Sequence, residues 1–357
     1  MHIFSYTRVL AGYWKSFGFF PGSNRCQTME VIKKVIVVGL GNISLRHRRN
    51  LKLLFPNVHV IAIPASGKIV NQNIEFSDQI SLSIEEVIQD GIDMAIVASP
   101  APFHAEHTIA LIRAGIPTLV EKPVTSDSQD AHKLIEVYKE TNTPIAVGYC
   151  LRYMPSSIKI KELLDQKIIG NIYNVFIDIG QYLPDWRPSK DYRDSVSAKT
   201  SLGGGVLLEL SHEIDYIQWL LGPMKVHYAQ LRSSLELNLE VEELADLVLV
   251  SDMGTVCNIH MDFLQKKAKR VCSFVGEKGR VDWDLLTNSI VLSAKKGGKT
   301  LFKEKDWDSN QMYLSLLKDF SSLAKGHANT CVDLMQATTT VKLIEDIKQH
   351  AIQGVKQ

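Results

Sequence analysis

Val35-Ile36-Val37-Val38-Gly39-Leu40-Gly41-Asn42-Ile43-Ser44 is the stretch on which the reading of the chain turns. Its first four residues form a continuous apolar, β-branched run, the pattern of a strand covered on both faces. A glycine-x-glycine turn follows at once, and a basic helix is expected over residues 45–54. In that order the turn can cradle a pyrophosphate. The first glycine permits the tight bend, the second lets backbone approach the phosphates, and the helix N-terminus offers free N–H groups with a partial positive charge. Ser44 stands where a third glycine is usual, and serine is small enough to keep helix and strand close. The plainer reading is a tight strand-to-helix turn that holds no ligand.

The same alternation continues outward. Strands are expected at 58–63, 94–98, 118–120 and 145–148, with helices at 84–89, 104–114 and 130–139 between them. That rhythm predicts a parallel, doubly wound sheet. After about residue 150 it changes. A helix at 156–164, a strand at 172–181 and a helix at 206–221 lead into strands near 226–232, 244–250, 255–263, 269–276, 279–284 and 289–293. Helices at 311–323 and 334–352 follow. Consecutive strands without long helices between them predict a mostly antiparallel sheet. The fold class is therefore α/β: an N-terminal Rossmann-type doubly wound parallel sheet, then an α+β domain with a large, mostly antiparallel open sheet. The expected domains are a dinucleotide-binding unit at 31–150 and a substrate-binding and oligomerisation unit at 151–357. Residues 1–30 are aromatic-rich without a regular period and read as an N-terminal extension: either Met29 is the true start, or residues 1–28 form a poorly ordered segment.

Composition narrows the function classes. The 357 residues allow two sizeable cores. A net charge of +1, from 40 basic and 39 acidic residues, gives no electrostatic reason to expect nucleic acid or a membrane surface as partner. No apolar run is long enough to cross a bilayer. Five widely spaced cysteines, Cys26, Cys150, Cys257, Cys272 and Cys331, contain no CxxC pair. Reduced thiols in a cytoplasmic protein are expected, with no disulfide framework and no metal site.

Several side chains carry candidate chemistry. The second strand ends in Ile63-Pro64-Ala65-Ser66-Gly67-Lys68, without the carboxylate that would bind the ribose 2′-hydroxyl of NAD. Ser66 and Lys68 can instead hold a 2′-phosphate, which favours NADP over NAD, although Lys68 also reads as a solvated loop lysine. Glu121-Lys122-Pro123 closes a buried strand with charge, on the side of the sheet where ligands bind. Lys122 can polarise a substrate oxygen, or it can be a surface lysine beside Glu121. Gly203-Gly204-Gly205 opens a helix on which Glu209, His212 and Asp215 recur every three residues. The glycines allow backbone to pass close to a ligand, and a histidine with a carboxylate in reach suits proton transfer. The alternative is a histidine satisfied in a partly buried helix. Trp186 and Arg187, in the loop from Tyr182 to Arg193, can read a substrate's carboxylate, phosphate or hydroxyls, or can simply face solvent.

Taken together, Gly39-Leu40-Gly41, Ser99-Pro100 with His104, Ala114-Gly115-Ile116-Pro117, Glu121-Lys122-Pro123, Gly148-Tyr149, Arg152-Tyr153, the glycine triplet and His212-x-x-Asp215 resemble the Gfo/Idh/MocA oxidoreductases, the glucose-fructose oxidoreductase and inositol dehydrogenase group. The resemblance covers about residues 33–350. It implies hydride transfer between NAD(P) and the secondary alcohol or ketone of a sugar, a homodimer or homotetramer, and Lys122 and His212 as the catalytic pair. It carries the assisting acid to Glu209, with a glutamate for the usual aspartate and a three-residue instead of a four-residue spacing. The implied cofactor contacts are Gly39, Gly41, Asn42, Ile43, Ser99, Pro100, His104 and Glu121, and the implied substrate contacts add Arg152, Tyr153 and Asp215 to Trp186 and Arg187. The run from Tyr182 to Glu213 is similar to members linked to bacterial surface-sugar biosynthesis. Two other readings stay open: a non-catalytic NAD(P)-binding regulator on the same scaffold, and a reductase of a non-sugar small molecule.

Overall fold

The computed structural model describes residues 32–68 and 73–353. The expectation for residues 1–30 lies outside them.

The first sheet is built as the apolar runs require. Strands β1 (Lys34–Val38), β2 (His59–Ile63), β3 (Gln79–Ile80), β4 (Met94–Val97), β5 (Thr118–Val120) and β6 (Ile145–Val147) pair in parallel, in the order β3-β2-β1-β4-β5-β6. Helices α1 (Asn42–Leu54), α2 (His104–Arg113) and α3 (Ser128–Thr141) connect them. The strand order reverses at β1 and β4, and in such sheets the crevice at the reversal receives the ligand. Residues 84–89 form consecutive turns and no helix. The stretch is six residues long, too short for a stable helix even though Ile84 and Val87 are buried in the core.

Beyond α4 (Pro155–Asp165), strand β7 (Ile172–Gly180) enters the second sheet. The chain then runs through α5 (Val206–Glu209), α6 (Ser211–Leu221), β8 (Met224–Arg232), β9 (Leu244–Ser251), β10 (Val256–Asp262), β11 (Lys269–Gly276), β12 (Gly279–Asp284), β13 (Ser289–Ala294) and β14 (Gly297–Lys303). Helices α7 (Asn310–Ala324) and α8 (Leu334–His350) and the short β15 (Ile352–Gln353) end the described chain. The nine strands lie in the order β14-β13-β12-β11-β7-β10-β9-β8-β15, antiparallel except for β7–β10 and β8–β15. Val175, Ile177 and Ile179 of β7 and Ala245, Leu247 and Leu249 of β9 point into one core, so the other sheet face stays open.

Two features depart from the sequence reading. The expected helix at 206–221 is two, broken at Leu210 (φ −99°, ψ 28°). The C-terminal helices also return to the first sheet. Leu316, Leu317 and Phe320 of α7 pack with Val35, Val37, Met94 and Ile96 on one face. Leu334, Ala337 and Val341 of α8 join Ile36, Val38 and Val120 on the other, while Leu343, Ile344 and Ile347 enter the second core. The boundary at residue 150 therefore does not separate the cores cleanly: residues 310–350 serve both.

Candidate active site

A cavity of about 350 Å³ opens at the strand reversal. Its walls include Gly39, Gly41, Asn42, Ile43, Ser99, Pro100, His104, Glu121 and Lys122 from the first domain, and Gly203, Glu209 and His212 from the second.

The glycine turn has the shape its sequence demands. Gly39 adopts φ +107°, and a Cβ there would collide with the Ala98 carbonyl oxygen. Ser44 replaces a third glycine at no loss of closeness, because its Oγ donates to that same carbonyl at 3.1 Å. Beside Gly41 the space is open. The N-terminus of α1 has no side-chain cap and no acidic residue in its first turn. Uncapped helix N–H groups facing an open cavity fit the diphosphate of a dinucleotide. Ser66 and Lys68 are exposed beyond β2 and line no part of the cavity; Ala65 does.

Glu121 is held from below. Its Oε1 pairs with His47 Nε2 at 2.6 Å, and its Oε2 accepts from the Lys122 N–H at 3.2 Å. Burial raises the carboxyl pKa, but the His47 hydrogen bond and the charges of His47 and Lys122 outweigh it, and the group is held below its ordinary value. Gly148 leaves room for this carboxylate, which a Cβ would approach to 3.1 Å. Glu121 thus lines the cavity while spending its carboxylate on the protein. His104 is equally occupied, its ring nitrogens lying 2.9 Å from Pro123 O and 2.7 Å from Ser99 O.

Lys122 crosses to the second domain, where its Nζ donates to the backbone carbonyl of Glu209 at 2.7 Å. The break at Leu210 explains this bond, since a carbonyl at a helix end lacks its intrahelical partner and favours a cation. The Glu209 carboxylate has no hydrogen-bond partner among the described residues. His212 is 9% exposed, stacks edge-on against Tyr149 at 5.6 Å, and has a buried, unpaired Nδ1. Burial, then the charges of Lys122, Arg270 and Arg152, push its pKa well below the ordinary value.

Four expected substrate contacts, Arg152, Asp215, Tyr153 and Trp186, lie outside the wall of this cavity. Arg152 binds Asp215 through two hydrogen bonds, 2.9 and 2.7 Å, and gives a third to Gln336 at 3.0 Å. That pair lines a separate pocket with Trp219, since two complementary side chains that far into the protein satisfy each other first. Tyr153 turns to Asp319, its hydroxyl donating at 2.7 Å. Trp186 stacks on Phe263 at 5.5 Å and lines a second cavity, which meets the first at Arg187 and Val196. In the glycine triplet Gly203 lines the cavity, and added Cβ atoms would meet Pro102, the backbone around Val196 and the Glu242 carboxylate. His47, Tyr313 and Arg270 escape the sequence reading, and Tyr149 enters it only within Gly148-Tyr149 with no role. For His47 a signal existed, because Ser44, His47 and Leu51 recur at helical spacing on the buried face of α1.

Comparison with known proteins agrees with this architecture. Residues 33–149 match the model of the GFO/IDH/MocA oxidoreductase family, NAD-binding Rossmann fold, and residues 157–282 match the GFO/IDH/MocA C-terminal domain. The chain belongs to the GFO/IDH/MocA family of oxidoreductases. Oxidoreductase P35 of Formosa agariphila is 27% identical over 211 residues, 58% of this chain and 65% of that protein. An inositol 2-dehydrogenase of Streptomyces avermitilis is 27% identical over 202 residues, 54% of each chain. The matches thus span about half to two thirds of those relatives. A levoglucosan dehydrogenase, solved with NADH and levoglucosan, superposes with a TM-score of 0.76 at 16% identity, over 89% of this chain and 96% of that one. Among the described residues no helix is long and apolar enough to cross a membrane, and no cluster of three or more His, Cys, Asp or Glu side chains is placed to hold a metal.

Proposed function

We propose that this protein is an NAD(P)-dependent dehydrogenase or reductase acting on a secondary alcohol or ketone of a sugar or polyol. The observation that carries the reading is one cleft in which an uncapped glycine turn faces Lys122 and His212 from opposite domains. Gly39, Gly41, Asn42 and Ile43 would hold the diphosphate, with Ser99, Pro100 and His104 shaping the nicotinamide end. A bound nicotinamide supplies or accepts the hydride. An ammonium has three donors, and Lys122 spends one on the Glu209 carbonyl, leaving the rest to polarise the substrate oxygen. His212, kept neutral by burial and its cationic neighbours, takes the hydroxyl proton during oxidation and returns it during reduction. Glu209 assists from the cleft wall. The lack of a carboxylate after β2 supports NADP over NAD, with Ser66 and Lys68 as 2′-phosphate contacts. The named activities of the inositol and levoglucosan dehydrogenases support a polyol or sugar substrate. A role in building bacterial surface sugars is the finer reading of residues 182–213.

Fluorescence titration with NADH and NADPH tests the cofactor, and tighter NADH binding would reject the NADP assignment. A screen of free and nucleotide sugars for hydride transfer then tests the reaction. On the substrate found, His212→Ala is expected to lower kcat by about 10²–10⁴-fold. Near-normal turnover would remove His212 from the chemistry. Cofactor binding with no turnover of any sugar would favour the regulator or the non-sugar reductase.

A further inference from the structure

Beside the cleft lies a second cavity of about 420 Å³, walled by residues 183–197. It shares Arg187 and Val196 with the cleft, so the two spaces meet at that neck. The wall is braced. Leu183 N–H donates to Phe263 O at 2.9 Å, Trp186 stacks on Phe263, Ser195 Oγ donates to Tyr192 O at 2.6 Å, and Tyr192 Oη donates to Leu237 O at 3.3 Å.

The charges in this cavity are unevenly satisfied. Asp191 is bound by the Arg193 guanidinium at 2.7 Å, and Asp194 by Lys199 at 3.0 Å. Both acids in the lining are thus neutralised by cations outside it. Neither Arg187 nor Lys190 makes an ion pair or a side-chain hydrogen bond among the described residues. The cavity therefore keeps two solvent-exposed cations without a protein partner, one of them at the neck. A guanidinium matches the two oxygens of a carboxylate or phosphate, and a braced wall lowers the cost of ordering it.

We infer that the substrate is an anionic sugar, a sugar acid or sugar phosphate, whose reacting carbinol lies at Lys122 and His212 and whose oxyanion is read by Arg187 at the neck of the second cavity. The inference rests on the reading of the cleft as a sugar dehydrogenase site and adds the charge of the substrate and its orientation. Lys190 adds longer-range attraction within the cavity.

The test is calorimetric titration of the full chain loaded with NADH or NADPH, whichever binds more tightly, so that alcohols form dead-end complexes and binding is read without turnover. The probes are D-glucose, D-glucuronate and D-glucose 6-phosphate. At least one anionic sugar is expected to bind about tenfold or more tightly than glucose, and which one does so separates carboxylate from phosphate. In Arg187→Met the ratio is expected to fall to about twofold or less, with Arg187→Lys between and Lys190→Met a smaller loss. Ratios near one in the native protein, no measurable binding of either anion, or a preference that survives Arg187→Met would overturn the inference. Turnover of neutral sugars together with a ratio near one defeats the anion site alone. An anion preference without turnover of any sugar defeats the dehydrogenase reading and leaves the site standing.

Discussion

His212 sits among three cations, Lys122, Arg270 and Arg152, in a site that excludes water from its Nδ1. Each factor disfavours imidazolium, so the neutral ring persists to pH values well below 6.5. For the proposed alcohol oxidation the neutral form would be the active one, and the rate would fall only as pH drops through this lowered pKa. The acid limb of kcat/KM, measured in the oxidative direction, is therefore expected below pH 6.5; a limb at or above 6.5 would contradict the assignment. The stability effect runs the same way. Below about pH 6.5 the unfolded chain takes up a proton that the folded chain refuses, so acid weakens the fold through this group. Glu209 is a different case, because the atom that engages Lys122 is its backbone carbonyl. Glu209→Gln keeps that carbonyl and is expected to lower kcat by less than about tenfold, well short of the loss expected for His212→Ala. Parallel kinetics on the two variants decide it, and equal losses would make the Glu209 carboxylate indispensable.

Among the elements, β1, its glycine turn and α1 were legible from sequence because each step follows from local chemistry: an apolar run, a residue free to take φ +107°, and a helix start without a competing cap. Gly39→Ala forces both a strained φ and a clash with Ala98 O, and is expected to cost about 1–3 kcal/mol in backbone strain alone and to weaken NADH binding. Thermal unfolding and NADH titration read the two effects, and unchanged values in both would refute the turn's role. The α5–α6 break was not legible, because the apolar pattern runs straight through Leu210. Nor was the anchoring of α6 by partners far along the chain. Asp215 meets Arg152, and Glu213 meets Arg270 through bonds of 2.8 and 2.9 Å. As isolated letters, Arg152 and Asp215 look like substrate ligands, and only the fold shows that they neutralise each other. Glu213 is fully buried, so Glu213→Gln leaves Arg270 with an uncompensated charge and is expected to destabilise by about 3–5 kcal/mol in urea unfolding. A loss under about 1 kcal/mol would mean that water or another acid replaces the pair.

At the scale of the whole molecule, the two sheets were readable from strand spacing, but the sharing of α7 and α8 between their cores was not, because amphipathic periodicity shows that a helix has an apolar face without naming what covers it. The same sharing ties the walls of the cleft together, since α8 reaches from the core behind β6 to the core behind β8. What the shared helices leave uncovered is the outer face of the nine-stranded sheet. There Phe176 is 50% exposed and Tyr228 39%, beside Val248 and Asn258, in a shallow hollow flanked by Asp178, Asp246 and His260. An antiparallel sheet can keep one face in water, but one carrying large apolar side chains can also meet a copy of itself across a two-fold axis. The dimer or tetramer that the resemblance implies would, on this reading, be joined through this face. Phe176→Asp places a like charge near Asp178 and Asp246 on both copies, where it opposes association without touching the cleft. Light scattering coupled to size-exclusion chromatography should then give a smaller species than the native chain, with far-UV circular dichroism unchanged. A native chain already monomeric at micromolar concentration, or a variant that keeps the native mass, would place any self-association elsewhere on the surface.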